Sequence, residues 1–149
     1  MSAPCQGPTM AQDQPCRSRT RSQRTGDAAE RLVADRLEAA GWTILGRNLR
    51  LSREELDLVA VDPGPPGALV LIEVRSRGTR EFGLPEETFD HRKRRHLWTA
   101  AMRLLEVGQL PGGMAVPRLP IRVDLVVVEP PARPGSQPRI RHHRDALAI

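Results

Sequence analysis

Acidic and basic side chains interrupt two otherwise apolar segments of the sequence. Asp57 lies in ELDLVAVD (55–62), and Glu73 and Arg75 lie in ALVLIEVR (68–75). A charged side chain in a buried strand is costly unless a counter-charge or hydrogen bonds compensate it. Carboxylate oxygens are also the ligands that Mg²⁺ and Mn²⁺ prefer. These residue types therefore indicate a divalent metal site at Asp57 and Glu73, with Arg75 beside it.

The segment between the two strands, PGPPG at 63–67, predicts a turn that joins them as an antiparallel hairpin. With the turn centred on Pro65, Asp57 lies opposite Glu73, and all side chains of that parity share one face of the sheet. Two carboxylates about 5 Å apart repel each other by about 3 kcal/mol at an effective dielectric of about 20. Two interpretations stay open: a salt-bridged sheet face in which Arg75 neutralises the pair, or a bound divalent cation.

Hydrophobic periodicity places these residues in a mixed α/β fold. A first helix is predicted from Asp27 to Gly41, with Asp27 and Glu30 forming a capping box. The further predicted elements are strands at 42–50, 55–62, 68–75 and 121–128, a helix at 91–107 and a short edge strand at 139–143. The order is an αβββαβ core, in which helices flank a mixed central sheet.

Length and composition indicate one domain and an acidic partner. The 149 residues divide into a basic N-terminal arm without periodicity, 1–24, and a single domain, 25–149, with a Pro/Arg-rich C-terminal segment. A net charge of +5 and a pI near 10.8 favour nucleic acid or anionic lipid as a partner. Alternatively, arginine simply replaces lysine, since Lys93 is the only lysine. No apolar run reaches the about 20 residues of a membrane span, so we expect a cytoplasmic protein.

A basic run, Arg92–Lys93–Arg94–Arg95, opens the second predicted helix. Successive helical residues are about 100° apart, so the four side chains spread around the helix rather than forming one stripe. The dense charge predicts contacts with the phosphate backbone of a nucleic acid, without sequence specificity. A solvated helix face is the alternative, because such runs are common.

Five short segments in this order resemble the bacterial family UPF0102, also called the YraN family. They are GDAAE at 26–30, GWTILGRN at 41–48, ELDLVA at 55–60, IEVR at 72–75 and RVD at 122–124. Lys93 also matches a basic position of that family, and together the matches cover about residues 26–147. The family is akin to archaeal Holliday-junction resolvases. It is placed in the restriction-endonuclease-like superfamily, whose signature is D-x(n)-(D/E)-x-K.

The resemblance implies a role for each matching residue. Asp57 and Glu73 would hold Mg²⁺ or Mn²⁺, and Glu30 would complete the acidic cluster from the first helix, unless it only caps the helix with Asp27. Arg75 stands at the lysine position that orients the attacking water and offsets charge at the scissile phosphate. Arg75 keeps that positive charge but cannot act as a base. A second departure is Glu54, which stands where the family pattern has glycine.

The resemblance also implies a metal-dependent endonuclease that acts on DNA, including branched DNA. A non-catalytic nucleic-acid-binding protein on the same fold is one alternative, which Arg75 favours. A structural or partner-binding protein without a nucleic-acid role is another. Salt-dependent DNA binding separates both nucleic-acid functions from the last, and metal-dependent cleavage separates the first two. The sequence leaves the oligomeric state open, a homodimer included.

Overall fold

The computed structural model describes residues 21–76 and 90–147. Its elements are α1 (Arg21–Ala39), β1 (Thr43–Leu51), β2 (Glu54–Asp62), β3 (Ala68–Ser76), α2 (His91–Val107), β4 (Ile121–Glu129) and β5 (Arg139–His143). This order confirms the predicted αβββαβ core, to which β5 adds an edge strand.

The strands form one mixed sheet in the order β1-β2-β3-β4-β5. All neighbouring pairs are antiparallel except β3 and β4, which are parallel and are joined through α2. The β2–β3 ladder runs from Leu58 opposite Ile72 to Asp62 opposite Ala68, which is the register predicted from a turn centred on Pro65. The ladder stops before the predicted Asp57–Glu73 pair.

Each helix covers one face of the sheet with the apolar side chains that its sequence repeats at helical spacing. The buried residues of α1 are Ala29, Val33, Ala34 and Leu37. Those of α2 are Leu97, Ala100, Ala101 and Leu104. The central strand β3 is apolar on both faces because both are covered, and Leu69–Ile72 are fully buried.

The start of α1 corrects the sequence prediction. Asp27 lies inside the helix, which already includes Arg21, so it does not cap the helix, and residues 21–24 of the predicted arm are helical. Residues 1–20 of that arm lie outside the described residues. Gln23, Arg24 and Thr25 are exposed, so this part of the helix shows no apolar repeat from which its start could be predicted.

A hydrogen-bonded charge cluster lies at the end of the sheet where β2 ends and β4 begins. Asp124 of β4 is fully buried and accepts hydrogen bonds from Arg122 Nε at 2.8 Å and from the backbone N–H of Asp145 at 3.0 Å. His142 Nε2 of β5 lies 2.7 Å from Asp124 Oδ2, and Arg122 also donates to Asp62 at 3.0 Å. The cluster joins β2, β4, β5 and the C-terminal segment, which is a structural role.

Candidate active site

Asp57 lies where the alternation of β2 is broken. Leu56 and Val59 pack in the core layer of α2, whereas Leu58 packs in the layer of α1. Regular alternation would place Leu56 and Leu58 on the same face. Beyond the last β2–β3 backbone pair, Leu58 and Ile72, a side chain joins the two strands: Asp57 Oδ2 accepts a hydrogen bond from the backbone N–H of Val74 at 2.8 Å. This bond holds one oxygen of Asp57 in a fixed position between β2 and β3.

Glu73 is a buried carboxylate between two cations. It is 4% exposed. Arg75 Nε lies 3.3 Å from its Oε1, and Lys93 Nζ from α2 lies 3.0 Å from its Oε2. Burial and, next, the negative charge of Asp57 raise the pKa of Glu73 to about 7, although Lys93 and Arg75 act against this rise. Near neutral pH the carboxyl group is therefore divided between its protonated and ionised forms.

Glu30 supplies a third carboxyl group from α1. Its pKa is raised by burial and then by the charge of Asp57, while a hydrogen bond with Asn48 lowers it. Its Oε2 is buried and has no hydrogen-bond partner among the described residues. Glu30 and Asp57 line a cleft of about 490 Å³, whose further lining residues are Gln23, Gly26, Asp27, Asn48 and Glu55.

These interactions decide how the predicted acidic cluster is arranged. Asp57 lines a cleft with Glu30 and bonds to the N–H of Val74, the residue after Glu73, so it lies near both carboxyl groups, and its charge raises the pKa of both. The predicted single face is wrong: Glu55 and Asp57 line the cleft beside α1, whereas Glu73 contacts Lys93 of α2. The broken alternation of β2 is the physical reason. A helix-capping role for Glu30 is also wrong, because Asp27 is not the cap.

The basic run divides into two parts. Lys93 is half-buried and pairs with Glu73, so it belongs to the site. Arg92, Arg94 and Arg95 are exposed on the first turns of α2. Asp90 caps that helix, since its Oδ1 accepts the backbone N–H of Arg92 at 3.3 Å.

Two polar contacts near the site were missed by the sequence analysis. His96 Nδ1 of α2 lies 2.9 Å from Glu54 Oε2 of β2, at the position where the family pattern has glycine. Asn48, at a positive φ of 48°, makes the hydrogen bond with Glu30. In the sequence, only the match of GWTILGRN (41–48) to the family pattern pointed to Asn48, and that match does not indicate that Asn48 bonds to Glu30.

The donor set suits a hard divalent cation in its chemistry. Glu30, Asp57 and Glu73 offer oxygen ligands, and the unpartnered Oε2 of Glu30 is a buried acceptor that a cation would satisfy. As they stand, the described His, Cys, Asp and Glu side chains form no group of three that could hold a metal ion. Mg²⁺ commonly uses one or two protein carboxylates and keeps several waters, so a complete protein cage is not required.

Comparison with known proteins places the chain in a family. The model of the "Uncharacterised protein family UPF0102" matches residues 29–128, a segment that contains the three carboxyl groups, Arg75 and Lys93. The chain belongs to the UPF0102 family. The UPF0102 chain is 38% identical to a UPF0102 protein of Symbiobacterium thermophilum over 80% of its own length and 91% of the relative's. A UPF0102 protein of Desulforamulus reducens is 34% identical over 82% of this chain and 93% of the relative.

A third relative of the UPF0102 chain comes from Deinococcus radiodurans. It is 35% identical over 80% of this chain and 91% of the relative. None of these family or protein names states a reaction. Among the described residues of the UPF0102 chain, neither helix has the length and apolar character needed to cross a membrane. The chemistry of the site must therefore support any functional assignment.

Proposed function

We propose that this protein is a cytoplasmic, metal-dependent endonuclease that hydrolyses phosphodiester bonds of DNA, branched DNA included. The observation that supports this most is that Asp57 lines a cleft with Glu30 and bonds to the N–H of Val74, the residue after Glu73, while Lys93 and Arg75 both contact Glu73. Neighbouring carboxylates are suited to bind a divalent ion, and the two basic side chains beside them are suited to bind a phosphate. When bound, Mg²⁺ or Mn²⁺ would supply an activated water and stabilise charge on the phosphate.

Asp57 and Glu73 would hold the ion, and Glu30 would add a ligand from α1. The Val74 N–H fixes one oxygen of Asp57, so the other oxygen is oriented without further ordering of the side chain. Glu73 acts as a ligand in its ionised form, which Lys93 and Arg75 favour. The three carboxyl groups would thus be held in place for the ion. Without the ion, their negative charge would repel the phosphates of the DNA backbone.

The two cations at Glu73 have different chemistry. Arg75 is 46% exposed in its side chain and can donate to a phosphate, but it stays protonated and is no general base. Lys93 approaches the other oxygen of Glu73 from α2. It supplies at this site the primary ammonium group that the motif position of Arg75 lacks. Together they would offset charge at the scissile phosphate.

A cleavage screen tests this function. Linear, flapped and four-way DNA would be incubated with the protein in Mg²⁺, Mn²⁺ or EDTA. We expect cleavage with either metal and none in EDTA. Asp57→Asn and Glu73→Gln should lose at least about 100-fold, because changing even the outer-shell partners of a metal site costs about 10- to 100-fold. Asp35→Asn is the matched control, because this exposed residue of α1 lies outside the cleft. Cleavage that survives both site variants would refute the proposal.

A nucleic-acid-binding protein without catalysis is the second candidate. It is favoured by Arg75 at the lysine position and by the lack of a ready-made metal group among the described side chains. This function predicts salt-dependent DNA binding that is unchanged by EDTA, together with no cleavage of any substrate in the screen.

A further inference from the structure

An exposed apolar stripe runs along α2. Trp98, Met102 and Leu105 are 39%, 37% and 49% exposed. They follow one another at intervals of four and three residues, so they share one side of the helix. An exposed tryptophan is notable here, because the chain has two tryptophans and the other, Trp42, is buried.

The stripe meets the basic start of the helix. Arg94 and Arg95 precede Trp98 by four and three residues, and both are exposed. With a rise of 1.5 Å per residue, Trp98 lies about 7.5 Å along the helix from Lys93, whose ammonium contacts Glu73. Trp98 is also about 140° around the helix from Lys93, so it lies on the side of the exposed arginines and not on the side of Glu73.

Helix geometry also shows which way Trp98 faces. His96 contacts Glu54 on the side of β1 and β2. Trp98 is two residues further, about 200° around the helix, and so faces the side of β4 and β5. On that side of the sheet, Arg75 of β3 pairs with Val127 of β4, and Val127 pairs with Arg141 of β5. Arg75 and Arg141 are thus about 10 Å apart on the sheet face that α2 covers.

We propose that Trp98 stacks against an unpaired base of a DNA strand whose phosphates are held by Arg94 and Arg95. The inference rests on the proposed function and specifies its substrate class: DNA with a single-stranded segment next to the cleaved bond. An aromatic face beside arginines is the combination that binds single strands without sequence preference. A base inside a duplex keeps both of its faces stacked on neighbouring bases and offers none to Trp98.

Charge favours DNA over another protein as the occupant of this side of α2. The stripe begins beside the exposed Arg94 and Arg95. Beyond it, Arg75 contacts Glu73 and Arg141 contacts Glu129, so Arg94 and Arg95 supply the positive charge of this surface. A second copy of the chain would bring the same positive charge to this surface, and the two surfaces would repel each other.

The experiment measures DNA binding in EDTA, so that no cleavage occurs. A single strand, a blunt duplex and a duplex with a single-stranded overhang would be titrated against the parent, Trp98→Ala and Trp98→Phe. We expect Trp98→Ala to weaken binding of the single strand and the overhang by about 5- to 150-fold and to change duplex binding by less than about twofold. Trp98→Phe should retain most of the affinity because it keeps an aromatic face. Leu105→Ala, in the same stripe, is the matched control and should bind as the parent does.

Tryptophan fluorescence gives a second readout. The single strand should quench the parent, and the quenching should disappear in Trp98→Ala, whose remaining tryptophan is buried. Unchanged single-strand affinity in Trp98→Ala would overturn the inference, and so would an equal loss on the duplex. A change of oligomeric state in Trp98→Ala and Leu105→Ala, with unaltered DNA binding, would assign the stripe to a second copy and also overturn it.

The two proposals fail separately. Metal-dependent cleavage with unchanged single-strand binding by Trp98→Ala would overturn the stacking site and leave the nuclease. Loss of single-strand binding in that variant, with no cleavage of any substrate by the parent, would support the stacking site and refute the nuclease.

Discussion

Lys93 Nζ lies 3.0 Å from Glu73 Oε2 and so joins the first turn of α2 to the end of β3. Lys93 is the only lysine of the chain, and it approaches a carboxyl group that is 4% exposed. Arg75 contacts the other oxygen of the same group at 3.3 Å. The protonation state of Glu73 therefore connects folding stability, metal binding and the charge offered to a phosphate.

Replacing Lys93 should destabilise the protein at alkaline pH. We expect Lys93→Met to lower the free energy of unfolding by about 1–3 kcal/mol at pH 8, because a buried carboxylate loses a charged partner. At pH 5.5 the loss should be smaller, since Glu73 is then mostly protonated. Urea denaturation at both pH values measures this. Lys93→Arg and the exposed-site variant Arg92→Met should stay close to the parent, and an equal loss at both pH values would contradict the explanation.

The pKa of Glu73 predicts a specific dependence of stability on pH. In the folded protein the pKa is raised from 4.5 to about 7, so the folded state takes up a proton that the unfolded state releases. The stabilisation from this group is fully present below pH 4.5 and is lost as the pH rises through about 7.

Glu73→Gln should remove this dependence, because the amide cannot ionise. In EDTA the variant should become more stable than the parent as the pH rises from 5 to 8, by up to about 3 kcal/mol at the upper end. Unfolding free energies of both proteins across this range test the prediction. Two parallel curves would show that Glu73 does not titrate here.

Asp57 should have two separable roles, one in charge and one in hydrogen bonding. Mn²⁺ should raise the melting temperature of the parent, because the folded state binds the ion. Asp57→Asn and Asp57→Ala should both abolish this gain. In EDTA, Asp57→Asn should be as stable as the parent or more so, since it removes repulsion and keeps an acceptor for the Val74 N–H. Asp57→Ala should lose about 1–3 kcal/mol, because that amide loses its acceptor.

Asp35→Asn is the control for the metal effect, since Asp35 is exposed on α1 and lies outside the cleft. It should keep the full gain in melting temperature with Mn²⁺. A parent without any gain, together with an unstable Asp57→Asn in EDTA, would instead support a salt-bridged sheet face without a metal.

Asp124 should be the carboxylate on which the stability of the sheet depends most. Burial by itself would raise its pKa, but hydrogen bonds from His142, Arg122 and the Asp145 N–H outweigh burial and hold the pKa below its ordinary value. Its contribution is therefore present above the unfolded pKa of 3.8 and is lost as the pH falls through the lower folded pKa.

Asp124→Asn should reduce the free energy of unfolding at pH 7 by about 3–5 kcal/mol, because it breaks a buried ion pair on one side. Chemical denaturation measures the loss. Glu129→Gln is the matched control, since Glu129 pairs with Arg141 at 2.8 Å in a more exposed position and should cost less than about 1 kcal/mol. Similar losses in both variants would argue against a special role for Asp124.

The exposed arginines of α2 should determine how DNA binding depends on salt. Changing Arg92, Arg94 and Arg95 together to alanine should weaken binding. It should also reduce the slope of log affinity against log salt by up to about 3, since each phosphate contact contributes about 0.9. The double variant Arg31→Ala/Arg118→Ala removes exposed charge elsewhere and should change the slope little. An unchanged slope in the triple variant would show that these arginines are only solvated.

Much of the fold could be predicted because apolar residues repeat with the period of the element they form. The second helix, from His91 to Val107, and the turn centred on Pro65 were predicted with the bounds and register that the structure shows. The start of the first helix could not be predicted, because its first turns are exposed and carry no apolar repeat.

The sequence alone determined the family, the mixed α/β order and the acidic and basic residues of the candidate site, because these follow from local patterns and short motifs. The tertiary structure decided which of these residues meet. In the structure Lys93 contacts Glu73 and is not part of the exposed basic surface. Asp57 accepts the Val74 N–H and lines the cleft with Glu30. A break in strand alternation and the approach of a helix depend on packing between distant segments, and no local pattern of residues records them.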